Sequence, residues 1–152
     1  MQLWRSLLFK LGILNLKAER SPISIFLLDD DPVRHKWFKK RFEKDHLDIA
    51  QTVEEAKKLL LENNYDAIFL DHDLLPHHYG SNDHNDYENT GYSIAKFLSQ
   101  NPELQKAATI IVHTRNADAA IPMVQELRQS GRNAEYAPFP MLDFKIKKYW
   151  ER

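Results

Sequence analysis

A chain of 152 residues with 43% hydrophobic side chains has the length of one ordinary domain and enough apolar surface for a single core. Its 21 Lys and Arg face 22 Asp and Glu, a net charge of −1; this excludes a general electrostatic pull toward nucleic acid or anionic membrane, so any phosphate recognition has to be local. The lack of Cys excludes disulfides, thiolate-bound zinc and cysteine nucleophiles, fits a cytoplasmic protein, and leaves oxygen and imidazole as metal ligands.

Residues 1–22 read as an N-terminal amphipathic extension, and 23–152 as the domain itself. Leu3, Trp4, Leu7, Leu8, Phe9, Leu11, Ile13, Leu14 and Leu16 are interrupted by Arg5 and Lys10, so no membrane span is expected, and no small-residue cleavage site marks a signal peptide. The extension is expected to cover an apolar face of its own domain or of a second copy, giving a homodimer. Docking on a membrane surface is the other reading.

From Ile23 onward, short apolar runs alternate with helical segments, the pattern of repeated βα units around a parallel sheet. The first strand, Ile23 to Leu28, ends in Asp29-Asp30-Asp31. Pro32 suits the first turn of a helix that runs to about Lys44, with Val33, Trp37, Phe38, Arg41 and Phe42 at helical spacing and basic residues on its other side. A weaker strand covers Leu47 to Ala50, and Thr52 with Glu55 gives a capping box for the next helix, which carries Ala56, Leu59 and Leu60.

The third strand, Ala67 to Leu70, is wholly apolar and ends in Asp71-His72-Asp73. A polar stretch from Pro76 to Asn89 precedes a helix with Tyr92, Ala95, Phe97 and Leu98; loops of this length tend to be functional. His77, His78, Asp83, His84 and Asp86 in it match no compact ligand set. A lid over the acidic strand ends, with Tyr79, Tyr87 and Tyr92 stacking on a base or sugar, suits the composition better. Thr109 to Val112 forms the fourth strand and ends in His113-Thr114-Arg115-Asn116; a helix from Ala117 to Gln129 follows, with Pro122 near its first turn and Gly131 closing it. Ala134 to Ala137 is the fifth strand, and Asp143 to Tyr149 the last helix.

In an open parallel sheet, ligands bind beyond the carboxyl ends of the strands. Here three strand ends deliver carboxylates, imidazoles and a hydroxyl, which converge if strands one, three and four are neighbours. Clustered carboxylates raise one another's pKa values, and a hard divalent cation stabilises them; Mg²⁺ is the simplest candidate, with Mn²⁺ or Ca²⁺ as substitutes. An Asp pair after a strand also serves as a turn or helix cap, but two acidic strand ends favour a site.

Ile25-Phe26-Leu27-Leu28-Asp29-Asp30-Asp31-Pro32 resembles the opening of response-regulator receiver domains, and Asp66-Ala67-Ile68-Phe69-Leu70-Asp71 resembles their phosphoacceptor strand. The resemblance runs from about Ile23 to the C-terminus. It implies a flavodoxin-like, five-stranded parallel sheet of order 2-1-3-4-5 with helices on both faces. By it, Asp29 and Asp30 bind metal, Asp71 stands at the phosphoacceptor position and Thr114 is the hydroxyl after the fourth strand. At the fifth strand, where receivers carry a phosphate-pairing lysine followed by proline, Tyr136-Ala137-Pro138-Phe139 stands instead. Leu70-Asp71-His72-Asp73-Leu74, Glu88-Asn89-Thr90-Gly91 and His113-Thr114-Arg115-Asn116 are closer to a variant group, the cyclic-phosphate processing receiver-like domains. Their resemblance implies binding or processing of a cyclic phosphate on a nucleotide or RNA end.

Opening a cyclic phosphate needs a positioned water or carboxylate nucleophile, charge on the phosphoryl oxygens and an acid for the departing hydroxyl. The expected metal ligands are Asp29, Asp30, Asp71 and Asp73. Asp71 is the expected base or nucleophile, and His72 or His113 the proton donor. Arg115 is placed to clamp phosphate bidentately, with Thr114 and Asn116 beside it. Either histidine alone is equally a backbone-bonded structural residue; Asn116 is also the natural cap of the following helix, and Thr114 a turn stabiliser.

Three other readings compete. One is a true receiver, phosphorylated on Asp71 by a partner kinase of a signalling pathway. Another is a haloacid-dehalogenase phosphatase, since Asp29-Asp30-Asp31-Pro32-Val33 satisfies Asp-x-Asp-x-Val, although no later lysine and acidic pair follow Thr114 convincingly. His72-Asp73 resembles the HD phosphohydrolase dipeptide, but those motifs sit in all-helical domains. The last is a docking module without chemistry, against which the retained acidic positions argue.

Overall fold

The structure, a computed structural model, describes residues 20–74 and 89–150. Most of the extension and the loop histidines, acids and tyrosines at positions 77–87 therefore lie outside the described residues. Five strands are present: β1 (Ser24–Leu28), β2 (His46–Ala50), β3 (Ala67–Leu70), β4 (Thr109–Val112) and β5 (Asn133–Tyr136). They form one parallel sheet of order β2-β1-β3-β4-β5. The helices are α1 (Pro32–Arg41), α2 (Val53–Glu62), α3 (Gly91–Gln100), α4 (Ala117–Gln129) and α5 (Leu142–Tyr149), with a 3₁₀ turn at Phe139–Met141.

Side chains alternate across a strand, so the sheet builds two cores. Phe26, Leu28, Ile68, Leu70, Ile110 and Val112 share one cluster with Ala56 and Leu60 of α2, Ile94 and Leu98 of α3 and Met123 and Leu127 of α4. Ile25, Leu27, Ala67, Phe69 and Ile111 share the other with Phe38 of α1 and Leu142 and Ile146 of α5. Phe38 stands edge-on to Trp37 and Phe69, and Trp37 edge-on to Phe139, all at centroid separations of 5.1 Å. Strands covered on both faces explain why β1 and β3 read as continuous apolar runs.

The helix ends follow their local chemistry. Asp31 caps α1, its carboxylate accepting from the Val33 amide at 2.8 Å, and Pro32 takes the first helical position. Thr52 caps α2 through the Glu55 amide, while Glu55 accepts from the Gln51 amide, one residue earlier than the usual reciprocal partner. Past α4, the Gly131 amide donates to Arg128 and the Arg132 amide to Leu127; with Gly131 at φ 86° this is a Schellman ending.

The structure corrects three local expectations. Val33, assigned to the buried face of α1, is 76% exposed, in the first turn of the helix. α1 ends at Arg41 with Phe42 as its C-cap, short of Lys44. Pro122 lies inside α4, at its sixth residue, on a solvent-facing position. No helix of the described residues is long and apolar enough to cross a membrane.

Candidate functional site at the carboxyl ends of the strands

The register builds the site. Leu28 pairs with Leu70, and Leu70 with Val112, so the next residues, Asp29, Asp71 and His113, stand at one height on three adjacent strands. The ladder extends through them: the Asp29 amide donates to Ala50, the Asp71 amide to Leu28 and the His113 amide to Leu70, at 2.9–3.0 Å. By the same alternation that directs Leu27, Phe69 and Ile111, all three side chains project toward the α1 side of the sheet.

There they meet. Asp29, Asp71 and His113 are buried, and each offers a ligand atom within 4.8 Å of the others. His113 Nε2 donates to Asp29 Oδ2 at 2.7 Å, while its Nδ1 is buried without a hydrogen-bond partner. Arg34, from the first turn of α1, donates through Nε and Nη2 to the two oxygens of Asp29 at 2.7 and 2.8 Å, and through Nη2 to Asp71 Oδ2 at 2.9 Å. Its Nη1 lies 3.1 Å from Asp31 Oδ2. His35 Nε2 donates to the Asp29 carbonyl at 2.6 Å.

The two buried acids diverge in consequence. Burial works to raise Asp29, but hydrogen bonds from His113 and Arg34 prevail and bring it to about 2. Burial pushes Asp71 up to about 6; the imidazole of His113 opposes this, the charge of Asp29 adds to it, and Arg34 opposes it. Asp30, half-buried, is raised by burial and by the charge of Asp29. Burial works against the charge on Arg34, yet its bond to Asp29 and the surrounding carboxylates raise it.

The remaining expected site residues divide into two groups. His72 and Asp73 follow Asp71 directly, and the Asp73 carboxylate accepts from His72 Nδ1 at 2.9 Å, which orients the imidazole. The His72 amide donates to Asp71 Oδ1 at 2.9 Å, fixing the rotation of that carboxylate. Thr114 is buried with its hydroxyl accepting from the Asn116 amide, and Asn116 caps α4 by accepting from the Ala119 amide. Both thus shape the turn after β4. Arg115 is exposed on that turn.

Arg34, His35 and Gly91 were not singled out as site residues from the sequence. Arg34 reads as one of the solvated basic residues of α1; the signal that finds it is its place three residues after the Asp31 cap, which sets it over the strand ends. Gly91 is the first residue of α3, and its amide donates to the His72 carbonyl. A Cβ there would overlap the Asp71 carbonyl oxygen, so only glycine lets α3 approach this closely.

This sheet order, with acids ending β1 and β3, defines a receiver domain of the response-regulator type. Residues 23–129 match the family described as the cyclic-phosphate processing receiver domain, and the chain belongs to that family. No curated protein matches it. Among solved structures it is similar to a response regulator from Burkholderia pseudomallei with a phosphorylated aspartic acid, calcium ion and citrate, at 21% identity and TM-score 0.59 over 83% of this chain and 65% of that one. It is also similar to the response regulator TrrA from Thermotoga maritima in complex with Mg²⁺ and BeF, at 23% identity and TM-score 0.57 over 83% of this chain and 97% of that one. A two-component response regulator from Clostridium difficile gives 23% identity and TM-score 0.59 over 85% and 96%. These likenesses bear on the fold. Two carboxylates and an imidazole at one point fit divalent-metal binding.

Proposed function

We propose that the pocket binds a divalent cation and processes cyclic phosphate, on a nucleotide or an RNA end. The observation that carries this reading is the convergence of Asp29, Asp71 and His113 within 4.8 Å, beside a His72–Asp73 pair. Asp29 and Asp71 would hold the cation, with Asp30 next to Asp29 in the chain and His113 orienting Asp29 through Nε2. Mg²⁺ and Mn²⁺ both suit the carboxylates. When bound, the cation supplies charge to the phosphoryl oxygens.

The protein residues then have distinct tasks. Ionised Asp71 takes a proton from water as its oxygen bonds to phosphorus, or attacks phosphorus itself to form an aspartyl phosphodiester that water then hydrolyses, restoring the carboxylate. The bond from phosphorus to one ribose oxygen breaks, and His72, oriented by Asp73, gives that oxygen its proton from Nε2. The product is a monoester. His113 is a weaker proton donor in this reading because its Nε2 is already committed to Asp29.

Phosphorus NMR of the protein with 2′,3′-cyclic nucleotides and Mg²⁺ or Mn²⁺ tests this. A monoester should form with wild type and not with Asp71→Asn; no turnover with either metal would sink the proposal. A second reading makes Asp71 a phosphoacceptor for a signalling kinase. It is favoured by Arg34 Nη2, which sits 2.9 Å from Asp71 Oδ2 and supplies a cation where the fifth strand lacks lysine. Labelling by acetyl phosphate that is lost in Asp71→Asn, without cyclic-phosphate turnover, would select it.

A further inference from the structure

The oxygens that Arg34 engages are those a cation would need. Its guanidinium covers both oxygens of Asp29 and one of Asp71, with the side chain only 15% exposed. A second cation on these three oxygens would stand against the guanidinium charge, which bonds each of them at 2.7–2.9 Å, and the repulsion opposes their sharing. A guanidinium is a planar, permanently charged fork that cannot be neutralised by losing a proton at ordinary pH. It must move for the site to load.

We propose that Arg34 is a resident counter-cation that competes with the divalent cation for Asp29 and Asp71, and so sets the affinity of the pocket. The proposal rests on the cation-pocket reading above. Asp31 makes the exchange local. Its carboxylate is fixed as the cap of α1 and contacts Nη1 at 3.1 Å, outside the trio that offers metal ligands. A guanidinium released from Asp29 and Asp71 thus keeps one partner at the mouth, where phosphate oxygens would arrive.

Exchange predicts an inverted mutational effect: removing a residue of the site strengthens binding. Calorimetry of Mn²⁺ with the full chain should show Arg34→Gln binding about ten- to a hundredfold tighter than wild type, from the loss of competing charged hydrogen bonds. Arg34→Lys, a single point donor, should fall between. Wild-type binding with Arg34→Gln equal or weaker would overturn the competition and leave the cation pocket standing. Absence of Mn²⁺ binding in both would remove both ideas. The wild type gives a test that needs no variant: on titration with Mg²⁺, the Arg34 Nε–H resonance should move with saturation. A resonance unmoved at calorimetric saturation would overturn the proposal.

Discussion

Asp29 and Asp71 share one arginine yet carry opposite shifts, and the difference is measurable as stability. A folded-state pKa near 6 for Asp71, against an ordinary 3.8, means the folded chain favours the protonated acid. Stability therefore falls as pH rises from about 4 through about 6 and is level above. Asp71→Asn should be more stable than wild type at pH 7.5, by on the order of 1–3 kcal/mol in urea denaturation without divalent metal, and the gain should vanish below about pH 4. Asp29 has the reverse sign. Its folded pKa of about 2 gives stability that is present above about pH 4 and lost as pH falls toward 2. Asp29→Asn, which leaves Arg34 and His113 short of their partner, should cost about 2–4 kcal/mol at pH 7.5. Two such similar substitutions moving the melting temperature in the same direction would contradict the geometry. At this scale the sequence was a partial guide. The acids were visible because they end apolar runs, whereas Arg34 was hidden, because its link to Asp71 spans 37 positions and has no local signature.

Among the elements, β3, β4 and α4 have the bounds the sequence predicts, because the apolar runs of β3 and β4 stop at Asp71 and His113 and α4 ends in the turn at Gly131. β2 is fainter, since an edge strand with half-buried Leu47, Asp48 and Ile49 carries no clean period. Val33 misled because apolar spacing states which residues share a helix face, not which turns of that face are covered. The junction of α3 with Asp71 and His72 is tightly packed. Gly91→Ala should cost about 2–3 kcal/mol through backbone overlap at Asp71, and the same variant should lose metal affinity by calorimetry. Thr52→Ala, which removes only the α2 cap, should cost about 1 kcal/mol and leave metal binding unchanged.

The molecule as a whole is a sheet that holds charge at one end between two apolar layers. Its order β2-β1-β3-β4-β5 depends on pairings between distant segments; the family resemblance supplied it, and hydropathy alone does not. The near-neutral total charge concealed how unevenly charge is arranged, with buried acids and a guanidinium packed beyond three strand ends. Because those acids are drawn from β1 and β3 and bridged to α1, a ligand there ties distant segments together. Mg²⁺ at about a hundred times its dissociation constant should add about 2.7 kcal/mol to unfolding, seen as a rise in melting temperature that Asp71→Asn lacks.

The edge-on packing of Trp37 against Phe38 and Phe139 gives the protein its own optical reporter. This indole lies one helical turn beyond Arg34, half-buried and held in a fixed orientation, so displacement of the guanidinium and arrival of a cation alter the electric field across its excited state. Trp150, against Phe69, serves as the reference. In a Trp4→Phe background, since the chain has three Trp, titration with Mg²⁺ should change the emission with and without Trp150→Phe but not with Trp37→Phe, converting occupancy of the pocket into a signal readable in real time.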